Sequence, residues 1–308
     1  MLSLLALFGM LLCLLAANWL LPGPMARAAM ALERKRAGLA ARQAALPYLE
    51  GGHGKEVLVL LHGFAGDKDN FTRIARYLTP HYRVLMPDLP GFGDAARDPA
   101  AAYDVAAQVD NVHRFLAERG IARCHLGGYS MGGNIAAEYA ARHPDQVQSL
   151  WLLAPGGTDA ALAVPEFQRY LAGGPPPFLV RQPGDFAKLM AACMARPPFF
   201  PYCLRQTLER RALADAALHS AILRQLVDAP RLRGPIATPA LIVWGTADRI
   251  LSPQGAPAIA ALLPNSRVLM MEGIGHLPVM EAPRRTARDF LDFQLRRDVP
   301  SAQRRGYA

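Results

Sequence analysis

The stretch Gly128-Tyr129-Ser130-Met131-Gly132 constrains this chain more than any other, because it sets a serine between a strand-like run and a helix-like run, with a glycine two residues away on each side. A residue at the tip of so sharp a strand-to-helix turn is held in a strained backbone conformation, and the glycines remove Cβ atoms that would clash there. The preceding Arg123-Cys124-His125-Leu126-Gly127 suits a short buried strand, and residues 134–142 suit a helix that ends before Pro144. A serine so placed becomes a nucleophile only when a base takes its proton. The motif therefore predicts a histidine and an acid in later loops.

Both are present. Pro239 to Gly245 reads as a buried strand whose following loop carries Asp248, and Ser266 to Met271 reads as the next strand, whose following loop carries His276. The chain order Ser, Asp, His is that of the α/β-hydrolase fold and differs from the chymotrypsin and subtilisin orders. Taken singly, Asp248 reads equally well as a solvated loop carboxylate and His276 as a surface histidine. Their places after two successive strands downstream of the elbow favour a triad of Ser130, Asp248 and His276, with Asp159 as the alternative orienting acid. An oxyanion hole requires two backbone N–H donors. Met131, directly after the serine, is one expected donor. Phe64 is the other, in the turn His62-Gly63-Phe64-Ala65-Gly66 that follows the apolar run Val57 to Leu61. His62, beside that turn, is expected to serve a structural hydrogen bond.

Strand-like and helix-like segments alternate from Val57 to Arg296, which predicts a mostly parallel sheet with helices on both faces. The helices are read over residues 68–78, 103–119, 131–142, 255–263 and 283–297. More than eighty residues separate the strand ending near Pro155 from the one beginning near Pro239, far longer than the other connections, so an inserted helical cap is expected. The resulting division is an α/β core at 47–157 and 236–298, a cap or lid at 158–235, and a tail at 299–308. Within the cap, Phe178, Met190, Met194, Phe199 and Phe200 are candidates for an acyl-chain lining; taken residue by residue, packing of the cap onto the core explains them as well. Cys124, Cys193 and Cys203 lack the spacing of a metal site, and no phosphate-cradling glycine loop opens a helix, so no metal and no cofactor are expected.

Residues 1–22 form the second strong signal. No charged side chain occurs before Arg27, and leucine, alanine, methionine and phenylalanine dominate as far as Leu21-Pro22. The run is long enough to cross a bilayer as a helix and is read as an uncleaved transmembrane anchor. A cleaved signal peptide competes, but no basic residue precedes the apolar run. A lipoprotein reading of Cys13 suffers from the bulky Leu11 and Leu12. Residues 23–46 carry Arg27, Arg34, Lys35, Arg36 and Arg42 among alanines and are expected to continue as a juxtamembrane basic helix lying against anionic headgroups. An ordinary solvated helix is the plainer alternative. The chain of 308 residues has 34 Lys and Arg against 25 Asp and Glu, a formal net charge of +9. That excess suits an anionic surface; nucleic acid is set aside as a partner because no interleaved basic and aromatic motif occurs.

The stretches Leu61 to Phe71, Pro87-Asp88-Leu89-Pro90-Gly91-Phe92-Gly93-Asp94 and Gly128 to Gly133 resemble the membrane-anchored acylglycerol lipases of the α/β-hydrolase superfamily. That group takes in cold-adapted bacterial lipases, mammalian monoacylglycerol lipases and a bacterial inner-membrane phospholipase A. The resemblance covers residues 55–160 and 236–295. It implies a serine carboxylic-ester hydrolase working through an acyl-enzyme on monoacylglycerol, lysophospholipid or glycerophospholipid. It also implies Ser130, Asp248 and His276 as triad, Phe64 and Met131 as oxyanion donors, and a single-pass place in a bacterial inner membrane. The positive-inside rule puts the catalytic domain in the cytoplasm, whereas some of these relatives face the periplasm. A homodimer through the N-terminal helix is a further expectation. An esterase or C–C bond hydrolase for small polar substrates, and a non-catalytic membrane interaction protein, are the alternatives.

Overall fold

The computed structural model describes residues 2–298; the expected tail at 299–308 lies outside the described residues. The strands are β1 (Leu39–Arg42), β2 (Tyr48–Gly51), β3 (Val57–Leu61), β4 (Arg83–Pro87), β5 (Cys124–Tyr129), β6 (Val147–Leu153), β7 (Ala240–Gly245) and β8 (Ser266–Met271). They form one sheet in the order β1-β2-β4-β3-β5-β6-β7-β8, parallel from β4 across to β8. Every residue of β5 and β7 is buried, as continuous apolar runs require when helices cover both faces of a parallel sheet.

The helices before the cap are α1 (Leu2–Leu20), α2 (Pro22–Arg36), α3 (Thr72–Leu78), α4 (Val105–Glu118) and α5 (Met131–Arg142). The cap contributes α6 (Pro165–Leu171), α7 (Asp185–Cys193), α8 (Tyr202–Ala214) and α9 (Ala216–Asp228), and the chain closes with α10 (Gly255–Leu262), α11 (Pro278–Glu281) and α12 (Pro283–Asp298). Local chemistry sets several of these boundaries. The Asp104 carboxylate accepts the Ala107 N–H at 2.8 Å and starts α4, and Pro144 follows directly on the end of α5. Trp151 of β6 stacks on Phe290 of α12 with centroids 4.4 Å apart, and both rings are fully buried.

The amino-terminal region departs from the sequence expectation in three ways. First, the basic helix stops at Arg36 rather than running to residue 46. Gly38 turns the chain at φ +68°, and residues 39–51 form an antiparallel hairpin, β1 with β2, which joins the sheet edge along β4. Alanine-rich residues 39–42 favour a helix in isolation, but an open sheet edge offers hydrogen-bond partners that outweigh that preference. Second, α1 and α2 are not one straight rod. They meet at an angle of 114°, and no single described helix is long and apolar enough to cross a membrane, although the bent pair Ala6–Leu20 and Pro22–Arg36 is so by length and composition. Third, three of the five juxtamembrane cations are committed within the chain. Arg34 makes two hydrogen bonds to the Asp69 carboxylate at 2.6 and 2.5 Å, Arg36 pairs with Glu33 at 2.8 Å, and Arg42 with Glu50 at 3.7 Å. Of these, Arg34 fastens α2 to the core, whereas the Arg36 pair lies within α2 and the Arg42 pair within the β1–β2 hairpin.

The four cap helices cover the carboxyl ends of the strands, where ligands bind in open α/β sheets. Arg97 holds the α8–α9 junction through Asp215 at 2.9 and 3.2 Å, and Arg211 of α8 reaches Asp94 at 3.1 Å. The end of α1 also touches the cap. Trp19 stacks on Tyr202 at 4.0 Å, and the Asn18 side-chain oxygen accepts the Cys203 N–H at 3.0 Å.

Candidate active site

Ser130 is at the tip of the β5–α5 turn with φ 55° and ψ −120°, a conformation that costs a non-glycine residue on the order of 1–3 kcal/mol. The surroundings enforce it. A Cβ on Gly132 would come within 2.1 Å of the Leu61 carbonyl oxygen, and one on Gly128 within 2.5 Å of the Gly132 backbone. Only glycine lets β3, β5 and the first turn of α5 approach so closely, and that approach lifts Ser130 clear of the sheet.

Asp248 and His276 meet behind it. The Asp248 Oδ2 lies 2.8 Å from His276 Nδ1, while its Oδ1 accepts the Ile250 and Leu251 N–H groups at 2.8 and 3.0 Å. Both side chains are buried, so the carboxylate is fixed by three donors with no competition from water. Asp159 is excluded from this role: it pairs with Arg231 at 2.6 Å and its side chain is 84 % exposed. Ser130 and His276 line the same cavity, but no hydrogen bond joins Ser130 Oγ to the imidazole; such contacts commonly tighten only when substrate binds.

The cavity has a volume of about 770 Å³. Phe64 lines it, and Met131 is the buried first residue of α5; neither backbone N–H donates to an acceptor among the described residues, which leaves both free for a ligand oxygen. His62 is spent structurally. Its Nε2 accepts the Leu89 N–H at 3.0 Å and its Nδ1 donates to the Gly63 carbonyl at 2.8 Å, while burial holds the ring below the usual histidine range and therefore neutral. The five candidate acyl-lining residues all border the cavity. They differ in environment, however: Met194 is buried, Phe178, Met190 and Phe200 are half-buried, and Phe199 is 90 % exposed, so it stands at the rim and does not line the interior.

Beside the turn that carries Phe64 is a charged network. Burial opposes the Lys68 charge, yet Asp88 and Asp94, each 2.6 Å from its ammonium, hold it above the usual lysine range. Asp67, desolvated and close to Asp69 and Asp88, is pushed up to about 7. Cys193 and Cys203 are both buried free thiols; burial, reinforced by the negative charge of Asp248, pushes the Cys193 thiol up to about 12.

Two contributors were not singled out from the sequence. The helix α2 supplies Ala29, Met30, Leu32 and Glu33 to the cavity wall, packed against α8. Its mixture of alanines and charges gave no sign of which face would be covered. The second is Glu281, whose Oε1 accepts the Gly275 N–H and whose Oε2 accepts the Arg196 N–H, both at 2.8 Å. Its position five residues after His276 was the available signal. A further serine–histidine pair, Ser149 Oγ with His125 Nδ1 at 2.8 Å, is buried under α12, takes a second bond from Gln294 and does not border the cavity.

Residues 56–283 match the family described as alpha/beta hydrolase fold. The chain belongs to that family. Lipase 1 of Psychrobacter immobilis is 36 % identical over 264 residues, which is 83 % of this chain and 82 % of the lipase. Human monoacylglycerol lipase ABHD6 is 28 % identical over 256 residues, 79 % of this chain and 76 % of that protein. Among solved structures, a membrane phospholipase A described as a bacterial virulence factor superposes with a TM-score of 0.86 at 38 % identity, covering 96 % of this chain and 99 % of that one. Within the α/β-hydrolase family the chain is a serine hydrolase of carboxylic esters, an assignment that rests on these relatives.

Proposed function

We propose that this α/β hydrolase is a membrane-anchored lipid-ester hydrolase acting on monoacylglycerol, lysophospholipid or glycerophospholipid through an acyl-enzyme. The observation that carries the reading is the cavity: Ser130 and His276 open into a space roofed by apolar cap side chains and large enough for an acyl chain. The lipases and the phospholipase A among its relatives support the same substrate class.

Ser130 Oγ attacks the ester carbonyl as His276 takes its proton. Asp248, held by the Ile250 and Leu251 N–H groups, keeps Nδ1 protonated and stabilises the imidazolium. The N–H groups of Phe64 and Met131 bind the oxyanion; each such donor contributes roughly 10²–10³ in rate. Protonated His276 releases the alcohol, and water repeats the sequence on the acyl-enzyme. The chemistry uses no cofactor.

Helix α1 is read as the anchor. It extends on the order of 28 Å and is the apolar half of the bent pair that is long and apolar enough for a span by length and composition. With α1 upright, the bend at Leu21 turns α2 nearly flat along the bilayer surface, so the cavity wall formed by α2 rests where lipid substrates are. Membrane lipid is the partner this arrangement suits; homodimerisation through α1 is compatible with it.

The test combines Ser130→Ala with lipid analysis. Full-length protein should label with a fluorophosphonate and release fatty acid from bilayer lipids, while Ser130→Ala does neither and still sediments with membranes. Fatty-acid release by Ser130→Ala comparable to wild type would overturn the assignment. Lipid-class analysis of membranes treated with the active protein identifies the headgroup.

A further inference from the structure

The cap loop Pro197-Pro198-Phe199-Phe200-Pro201 joins α7 to α8 and carries the most exposed large apolar side chain among the described residues, Phe199 at 90 %. A lone exposed leucine on a surface calls for no explanation, but three features distinguish the setting of this ring. It borders the mouth of the Ser130 cavity. It lies three residues before Tyr202, the ring on which Trp19 stacks at 4.0 Å. The terminal turn of α1, where Trp19 is 62 %, Leu20 78 % and Leu21 56 % exposed, is tied to the same point through Asn18 and Cys203 at 3.0 Å.

We propose that Phe199 is the tip of a bilayer-contact loop, which enters the boundary between headgroups and acyl chains beside the end of α1 and places the cavity mouth directly on the membrane surface. The occupant of this apolar patch is therefore lipid. The inference rests on the lipid-surface reading above.

The backbone of the loop supports this. Prolines at 197, 198 and 201 leave two N–H groups in five residues, so little hydrogen-bonding capacity is stranded when the loop leaves water. Proline also fixes φ at three of the five positions, which narrows the conformations open to the loop. Continuity with Trp19 and Leu20 makes one contact region of two segments that are 179 residues apart in sequence. Aromatic rings are favoured at that depth, where their flat apolar bodies meet the headgroup layer. With both segments at the surface, an acyl chain leaving the bilayer passes Phe199 and meets the half-buried Phe200 and Met190 without crossing water.

The experiment reads depth directly. Full-length protein carrying Ser130→Ala, Trp19→Phe and Phe199→Trp is reconstituted in vesicles of dioleoylphosphatidylcholine and dioleoylphosphatidylglycerol, with Ser130→Ala keeping the lipids intact. The two remaining tryptophans, Trp151 and Trp244, are fully buried and give a constant background. Vesicles with chains brominated near the headgroup should quench the emission from position 199 well beyond that of a control with Phe at 199, and aqueous acrylamide should quench it little. Quenching by acrylamide but not by brominated lipid would overturn the proposal. Because the protein is catalytically silenced, this readout stands or falls apart from the assignment of Ser130. A second arm compares Phe199→Asp with Phe199→Leu, both normalised to fluorophosphonate-reactive sites. Vesicle hydrolysis should be about tenfold slower for the aspartate variant, since a charge in place of an inserted ring disfavours contact. Equal vesicle rates for the two variants would likewise overturn the proposal.

Discussion

The backbone N–H of His276 donates to the carbonyl oxygen of Cys193 at 2.7 Å, which joins the loop of the proposed triad base to the last turn of cap helix α7. Two more contacts run between the same parts. Glu281 bridges Gly275, one residue before His276, to Arg196 of the cap, and the Arg249 guanidinium, one residue after Asp248, bonds the Ala191 carbonyl. The position of the imidazole is therefore set partly by the cap.

That arrangement makes Glu281 a positioning residue. Glu281→Ala removes the acceptor for the part-buried Gly275 N–H, a loss of about 1–3 kcal/mol in local stability. We expect kcat on a soluble ester to fall about tenfold with KM nearly unchanged, because the base is misplaced while the apolar cavity remains. Glu281→Gln, which keeps one acceptor oxygen, should fall in between. An unchanged kcat in Glu281→Ala, measured per fluorophosphonate-reactive site, would show that the Cys193 contact alone holds the loop.

Asp248→Asn is expected to lower turnover by roughly 10⁴ with little effect on substrate binding, because an amide accepts poorly from Nδ1–H and does not stabilise imidazolium. The Ile250 and Leu251 N–H donors retain one acceptor, so the fold should persist. Steady-state kinetics together with a thermal melt test both halves of this expectation.

Asp67 offers a pH test. Its folded value of about 7 is above the ordinary 3.8, so the folded state binds a proton that the unfolded state has lost between those limits. Its contribution to stability is fully present below 3.8 and is lost as pH rises towards about 7. Asp67→Asn retains a side-chain oxygen for the Asp69 N–H and does not titrate. The stability of the variant relative to wild type should therefore increase across that window and level off above it. Urea unfolding at several pH values measures the difference, and a flat or falling difference would contradict the assignment.

Truncation separates the two N-terminal helices. Deleting residues 1–20 should release the protein from membranes and leave hydrolysis of a soluble short-chain ester within about threefold of wild type, since the core is a separately packed unit. Deleting residues 1–36 should cost about tenfold or more on the same ester, because α2 is one wall of the cavity. Equal losses in the two truncations would assign the effect to α1 and its Trp19–Tyr202 contact.

The features legible in the sequence share one property: they are local. The elbow is a five-residue pattern whose glycines are required by contacts within a few ångströms, and the strand ending before Asp248 is an apolar run buried on both faces, whereas the strand ending before His276 is a largely exposed edge strand. The parts that escaped are decided by distant partners. Residues 39–42 become a strand because β2 offers an edge, Arg34 turns inward because Asp69 lies beneath it, and α2 becomes a cavity wall because α8 packs on it. Phe199 shows the same limit from the other side. An apolar residue in a proline-rich cap loop reads as interior lining, and only the folded arrangement sets it at the rim.

The contacts from Asn18 and Trp19 to the head of α8, with α2 forming a wall of the cavity, bear on how far this enzyme can be taken apart and recombined. On the membrane-anchored reading proposed above, its amino-terminal segment is not an interchangeable tether. A chimera that fused the catalytic core to a foreign membrane helix would preserve tethering, but it would break the fit between cap and helix unless Asn18, Trp19 and the cavity-facing side of α2 were carried over. Substitutions in this segment should consequently vary together with those in α8 and follow the shape of the substrate as well as the thickness of the host bilayer.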